Sequence, residues 1–213
     1  NAMHLHLSLF EGDTNAFHDA GAEYNLSSIA RSFTAGLLEH ARATAGITNQ
    51  WVNSYKRLTT RMDGPFPSGE APVFIAWGHS NRSALVRIPM YKPRKSASTR
   101  IEYRAPDPAC NPYLALAVIL AAGIDGIERN LVLQAESEDN TFELTPAERA
   151  ANGIERMPES LGEAIELMAA SELVAETLGE HLFRHLLANK RREWSDYTSH
   201  VTRFEIDRYL PLL

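Results

Sequence analysis

Residues 4–9 read His-Leu-His-Leu-Ser-Leu, and this unbroken alternation is the strongest local constraint in the chain. A period of two fits a β-strand, with His4, His6 and Ser8 on one face and Leu5, Leu7 and Leu9 on the other. Such a strand needs partners before its leucine face can be buried. The pattern returns at Thr99–Arg104, where Arg100, Glu102 and Arg104 alternate with Ile101 and Tyr103. Val73–Trp77 and Ala84–Ile88 are apolar, β-rich runs bounded by Pro or small polar residues. Helical spacing predicts a helix over 23–44, from Leu26, Ile29, Ala30, Phe33, Gly36, Leu37, Leu38 and Ala41. Asn111-Pro112 opens an apolar helix to about Arg129, with Pro in its first turn. Thr145-Pro146-Ala147-Glu148 is a further helix start, and three amphipathic helices follow from residue 159. Residues 51–71, with Gly64, Pro65, Pro67 and Gly69, are irregular, and 91–98 and 133–143 are a basic and an acidic loop. Strands come first and helices last. The expectation is an α+β fold, an antiparallel sheet packed with helices, sheet-rich over 3–110 and helical over 111–213.

Composition narrows the class. The chain has 213 residues, enough for one large or two small domains. Its 44% hydrophobic and 23% charged residues exclude a disordered polymer. The net charge of −6 argues against nucleic acid or an anionic membrane as partner. The single cysteine, Cys110, excludes a disulfide framework and a Cys-based zinc site, and it reads as packed rather than reactive. The longest apolar stretch, Tyr113–Gly123, is too short to span a bilayer, and no signal peptide is visible. A cytoplasmic location is expected. Asn1-Ala2 before Met3 reads as a tag remnant. A patterned strand beginning at once after Met3 suggests a fragment whose first strand pairs with upstream sequence.

Several groups could carry chemistry. His4, His6 and Ser8 on one strand face suit a metal with polyphosphate nearby; the plainer reading is a solvent-facing strand. Arg100-Ile-Glu102-Tyr-Arg104 reads first as a surface ion-pair ladder worth ~0–1 kcal/mol, and otherwise as a metal ligand beside anion-binding arginines. Arg57, Arg82, Arg87 and Lys95 could bind carboxylate or phosphate. Together these groups fit nucleotide-dependent phosphoryl transfer with a divalent cation better than hydrolysis at zinc. Glu70, in a Gly/Pro-rich loop, is either a solvated turn residue or a base that closes over a site. His181 and His185, spaced i, i+4, could hold a metal but read first as part of a solvated face with Glu180 and Arg184. Lys190-Arg191-Arg192 reads as a solvated helix stretch.

Taken in order, six strings resemble glutamine synthetase of the bacterial and archaeal type I class. They are His4-Leu-His6-Leu-Ser8-Leu, Val52-Asn-Ser-Tyr-Lys-Arg57-Leu, Gly69-Glu70-Ala-Pro, Asn81-Arg82-Ser-Ala-Leu-Val-Arg87-Ile-Pro, Arg100-Ile-Glu102-Tyr-Arg104-Ala-Pro-Asp and Asn111-Pro-Tyr-Leu-Ala. The resemblance covers Met3 to Leu213, the C-terminal part of that family's catalytic domain. It implies that His4 and Glu102 ligate a Mg²⁺ or Mn²⁺ ion beside the ATP phosphates. It implies that His6, Ser8, Arg82, Arg87 and Lys95 contact ATP, with Arg94 or Lys92 as alternatives to Lys95. Arg57, Arg82, Arg104 and Glu70 are implied to hold glutamate, and Glu70, Arg82 and Arg104 to act in catalysis.

The implied reaction joins glutamate and ammonia through γ-glutamyl phosphate. The implied assembly is a dodecamer-like homo-oligomer. The family's N-terminal domain and most of its carboxylate metal ligands have no counterpart here, so the chain alone is expected to be inactive. Phe142 stands where one branch of the family is adenylylated on tyrosine, which implies an unmodified branch. Two other readings stay open: a γ-glutamyl-amine ligase of the same superfamily, and a non-catalytic assembly module.

Overall fold

The computed structural model of the protein describes residues 2–60, 71–90 and 95–212. The strands are β1 (Leu5–Leu7), β2 (Phe10–Glu11), β3 (Thr14–Asn15), β4 (Phe74–Gly78), β5 (Ala84–Arg87), β6 (Ile101–Tyr103) and β7 (Glu155–Arg156). The helices are α1 (Ser28–Glu39), α2 (Ala41–Thr48), α3 (Val52–Arg57), α4 (Pro112–Glu128), α5 (Pro146–Ala151), α6 (Leu161–Ala169), α7 (Glu172–Ser199) and α8 (Arg203–Tyr209). Five strands form one sheet in the order β1-β6-β5-β4-β7, and β2 and β3 form a separate hairpin. The fold is α+β, as expected. Helices α1–α3 lie within 3–110 and β7 within 111–213, and one core cluster draws on both segments.

The sheet is mixed rather than antiparallel. Pairs β1/β6, β5/β6 and β4/β7 are antiparallel, but β4 and β5 run parallel. Parallel neighbours are normally joined by a crossover of about a dozen residues or more; here residues 79–83 alone make the return. Outside contacts hold that short return in place. Asn81 Nδ2 donates to the carbonyls of Ser137 and Asp139, both at 2.7 Å. Asn81 Oδ1 accepts from Ser83 N at 2.8 Å, closing an Asx turn. The Glu138 carboxylate accepts from the backbone N–H groups of His79 and Ser80. The acidic loop expected from sequence is therefore a brace for a turn of the sheet.

The helix starts at Asn111 and Thr145 follow the sequence signals, and the cap at Ser27 was not anticipated. Ser27 Oγ accepts from Ala30 N, and Asn111 Oδ1 from Tyr113 N and Leu114 N. Thr145 and Glu148 complete a capping box. The helix predicted over 23–44 is instead a 3₁₀ turn (Glu23–Asn25) followed by α1 and α2, which break at His40. The His40 ring bonds Asp125 on α4 at 2.7 Å, fixing that corner. Strand β7, two residues long, was not anticipated, because it is too short to show a period. The stretch 190–192 is not wholly solvated either: Lys190 is buried, and its Nζ donates to the Gln50 carbonyl at 3.0 Å and to Glu193.

The sheet's two faces differ sharply in chemistry. Leu5, Tyr103 and Val86 pair across β1, β6 and β5 and turn toward the helices. Ile101, Tyr103 and Val86 are almost wholly buried, while the β1 leucines are half-buried against the same core. The register places His6, Glu102 and Arg87 in line on the opposite face. Among the described residues no helix is long and apolar enough to cross a membrane.

Helices α1 and α4 pack closely enough to need glycine. A Cβ on Gly126 would lie 2.2 Å from the Ser32 carbonyl oxygen and 2.8 Å from Gly36 Cα. Gly126→Ala should destabilise the protein by about 1–3 kcal/mol, the usual range for overpacking. Urea denaturation measures it: the midpoint should fall at unchanged m-value. An unchanged midpoint would show that the two helices are not in contact here.

Candidate active site around Glu102

The polar face of β1, β5 and β6 converges on one carboxylate. Glu102 lies on the middle of these three strands and is only 3% exposed. Its Oε1 is 3.0 Å from His4 Nδ1 and 3.2 Å from Arg104 Nη1; its Oε2 is 3.0 Å from Arg87 Nη1. A buried carboxylate needs such partners, because desolvation of an unpaired charge is costly. The sheet supplies them by register: Arg87 is directly opposite on β5, and His4 and Arg104 are two residues along.

The ladder expected from sequence is thereby corrected. Arg100 does not pair with Glu102; its Nε donates to His6 Nδ1 at 3.1 Å and its Nη1 to the Ser98 carbonyl. Glu102 and Arg104 are buried rather than a surface pair. The sequence signal failed because it treated β6 alone, whereas β5 and β1 cover it from both sides.

Arg104 extends the group. Its Nη2 donates to the Arg82 carbonyl at 2.6 Å, tying β6 to the 79–83 return. Arg57, at the end of α3, donates to the Ala105 carbonyl at 2.6 Å and to Asn49 Oδ1 at 3.1 Å. Burial draws the Arg57 guanidinium below its ordinary value, with Asp107 opposing and Arg104 adding. Arg57 Nε is buried and, among the described residues, finds no hydrogen-bond partner. Two guanidiniums on one carboxylate, with Arg57 and Arg100 beside them, make this face locally positive although the chain is net negative.

The His4 pKa is drawn below its ordinary value, which favours the neutral ring. Burial comes first, then the Arg104 charge; Arg57 adds to them, and Glu102 partly offsets all three. A neutral imidazole is the form that binds a metal. His4 and Glu102 are thus adjacent nitrogen and oxygen donors of the type a divalent cation takes. They fit as two of the about six positions a hard cation needs. Among the described residues, no group of three or more His, Cys, Asp or Glu side chains could hold a metal.

The other predicted residues fall as follows. Ser8 is exposed just beyond β1. Arg82 is exposed in the 79–83 return. Lys95 is exposed and precedes the 3₁₀ turn Ser96–Ser98. Glu70, and the alternatives Lys92 and Arg94, lie outside the described residues. Cys110 is buried, and burial, reinforced by Asp107, pushes its thiol up, away from reactivity. Phe142 packs edge-on against Phe74 at 5.5 Å in a small second core. Sequence reasoning missed Asn49, fully buried and bonded to Arg57, and the bracing role of Asn81. An Asn at the C-terminal end of an apolar helix and the Asn-x-Ser turn pattern were the available signals.

Comparison with known proteins decides the family. Residues 1–209 match the family described as "Glutamine synthetase, catalytic domain". The chain belongs to the glutamine synthetase family. It is 56% identical over 212 residues to the glutamine synthetase of Mycolicibacterium smegmatis, covering 100% of this chain and 46% of that protein. It is 50% identical over 210 residues to that of Thermus thermophilus, covering 99% of this chain and 45% of the relative. The structure resembles that titled "GmaS/ADP complex-Conformation 1", with a TM-score of 0.84 and 34% identity, over 99% of this chain and 46% of the other. The chain therefore spans about half the length of the glutamine synthetases it matches.

The cage around Glu102 makes a titration testable. A His4 ring signal followed by NMR should show a midpoint below the ordinary 6.5. Because its folded value lies below its unfolded value, the folded state binds fewer protons. His4 therefore contributes a loss of stability as pH falls below 6.5, absent at higher pH. Arg104→Met should raise the midpoint and Glu102→Gln should lower it further. A midpoint at or above 6.5 in the parent chain would contradict the arrangement.

Proposed function

We propose that this chain carries one side of the active site of an ATP-dependent glutamate–ammonia ligase. The observation that supports the reading best is the convergence of His4, Arg87 and Arg104 on the buried Glu102. These residues are separated by up to a hundred positions in sequence. The relatives at 56% and 50% identity, both glutamine synthetases, favour ammonia as the amine over a larger amine.

The chemistry follows from charge. A carboxylate resists attack by ammonia because it is anionic and resonance-stabilised; phosphorylation gives it a leaving group. In this reading His4 and Glu102 would hold a Mg²⁺ or Mn²⁺ ion in part, and such an ion would supply charge neutralisation to the phosphates. Arg87 binds ATP phosphate oxygens while keeping Glu102 oriented. Arg82 reaches from the return loop toward the transferring phosphoryl group, and Arg104 anchors that loop through the Arg82 carbonyl. Arg57 binds the glutamate carboxylate through its remaining donors, and Arg104 lies beside it. His6, Ser8 and Lys95 border the nucleotide. In this reading Glu70 would take a proton from bound ammonium, releasing the ammonia that attacks the acyl phosphate and expels phosphate.

Two protein ligands leave the cation incompletely held, so the chain alone is expected to bind nucleotide without turning it over. The working form in this reading is a cytoplasmic homo-oligomer. Calorimetry tests the binding. ATP should bind the chain in the presence of Mg²⁺ and not in its absence. Arg87→Ala should weaken binding roughly 10- to 100-fold, as expected for losing a charge-assisted hydrogen bond of ~1.5–3 kcal/mol. ATP binding indifferent to Mg²⁺ or to Arg87, or no binding at all, would favour a non-catalytic assembly module instead.

A further inference from the structure

Helix α7 carries a second cluster of possible metal ligands that the ATP-site reading does not use. Gly179 leaves helical geometry (φ 73°, ψ 155°), so a new helical segment starts at Glu180. On its first turns His181 and His185 are four residues apart and therefore stacked on one face. Both are exposed. Their ring centres are 4.4 Å apart with the planes at 74°. Together with Glu180 and Arg184 they line an open hollow of about 380 Å³.

The geometry points to a surface site for a borderline transition-metal ion such as Zn²⁺, Cu²⁺ or Ni²⁺, chelated by His181 and His185. Three features carry this. First, two imidazoles bound to one ion through nitrogens ~2.0–2.1 Å away have ring centres roughly 4.5–5 Å apart, close to the spacing already present. Little rearrangement is needed, so the cost of ordering two side chains is small. Second, imidazole pairs select this class of ion, whereas Mg²⁺ and Ca²⁺ prefer oxygen donors. The site is therefore chemically distinct from the His4–Glu102 pair, whose carboxylate suits the harder cation.

Third, the local charge does not oppose a cation. Glu180 Oε1 lies 2.9 Å from Arg184 Nη2 on the adjoining row, so the guanidinium beside the rings has a carboxylate next to it. Glu180 also sits at the positive end of the new helical segment, where a carboxylate offsets the dipole. With both partners about three-quarters exposed, that ion pair is weak. Among the described residues no third His, Cys, Asp or Glu completes the set, so water fills the remaining positions and the affinity is that of a two-imidazole chelate.

The test uses the whole chain with Zn²⁺ as probe, in excess Mg²⁺. Ring signals of all eight histidines are followed by NMR, and affinity by calorimetry. Sub-stoichiometric Zn²⁺ should shift the His181 and His185 rings together. His181→Ala and His185→Ala should each weaken this binding at least tenfold, because a single imidazole loses the chelate. Both positions are exposed, so neither variant should alter the unfolding midpoint measured without Zn²⁺. Zn²⁺ responses confined to other histidines, or unchanged affinity in either variant, would overturn the site. Neither result bears on ATP binding, so this inference and the proposed function succeed or fail separately.

Discussion

The burial of the Glu102 carboxylate is the constraint on which the polar face of the sheet depends. A charge removed from water must be met by other charges or by donors, and here three side chains meet it: His4 just before β1, Arg87 on β5 and Arg104 just after β6. That requirement fixes the register of β1 against β6 and of β6 against β5. A slip of one residue in either pairing would put Glu102 into the apolar core and a leucine or tyrosine onto the site face. The apolar face of the same strands resists the slip with equal force, since Ile101, Tyr103 and Val86 would be expelled from the core.

The cage also explains how a chain of net negative charge can present a locally positive surface. Arg87 and Arg104 are oriented by one carboxylate that neutralises only one of them. Arg57 is fixed separately by Asn49 and the Ala105 carbonyl, neither of which removes its charge. The 79–83 return that bears Arg82 is held from below by Arg104 and from outside by the 137–141 loop. Residues far from the site in sequence thus determine where its cations stand. Preorganisation of this sort is what electrostatic stabilisation of a transferring phosphoryl group requires.

Much of this was legible in the sequence, for definite physical reasons. The period-two pattern of residues 4–9 and 99–104 showed which side chains share a face, because alternation is a property of the single strand. The caps Asn111 and Thr145 act locally, and the helices that follow them were readable. What depends on pairing between strands was not. The burial of Glu102, the detour of Arg100 to His6 and the parallel run of β4 with β5 all require knowing the neighbours. Lys190 failed for the same reason: its buried partner, the Gln50 carbonyl, is 140 positions away. The functional reading came from several ordered strings together, since each alone was better explained as surface.

The central claim is that His4 and Glu102 form one metal-binding unit facing bound nucleotide. Pulsed EPR of Mn²⁺ added with ATP to the chain tests it most directly. The account predicts a ¹⁴N coupling from the His4 imidazole that disappears in His4→Gln and in Glu102→Gln. A Mn²⁺–ATP complex bound to the chain without nitrogen coupling, or with a coupling that survives both substitutions, would contradict it.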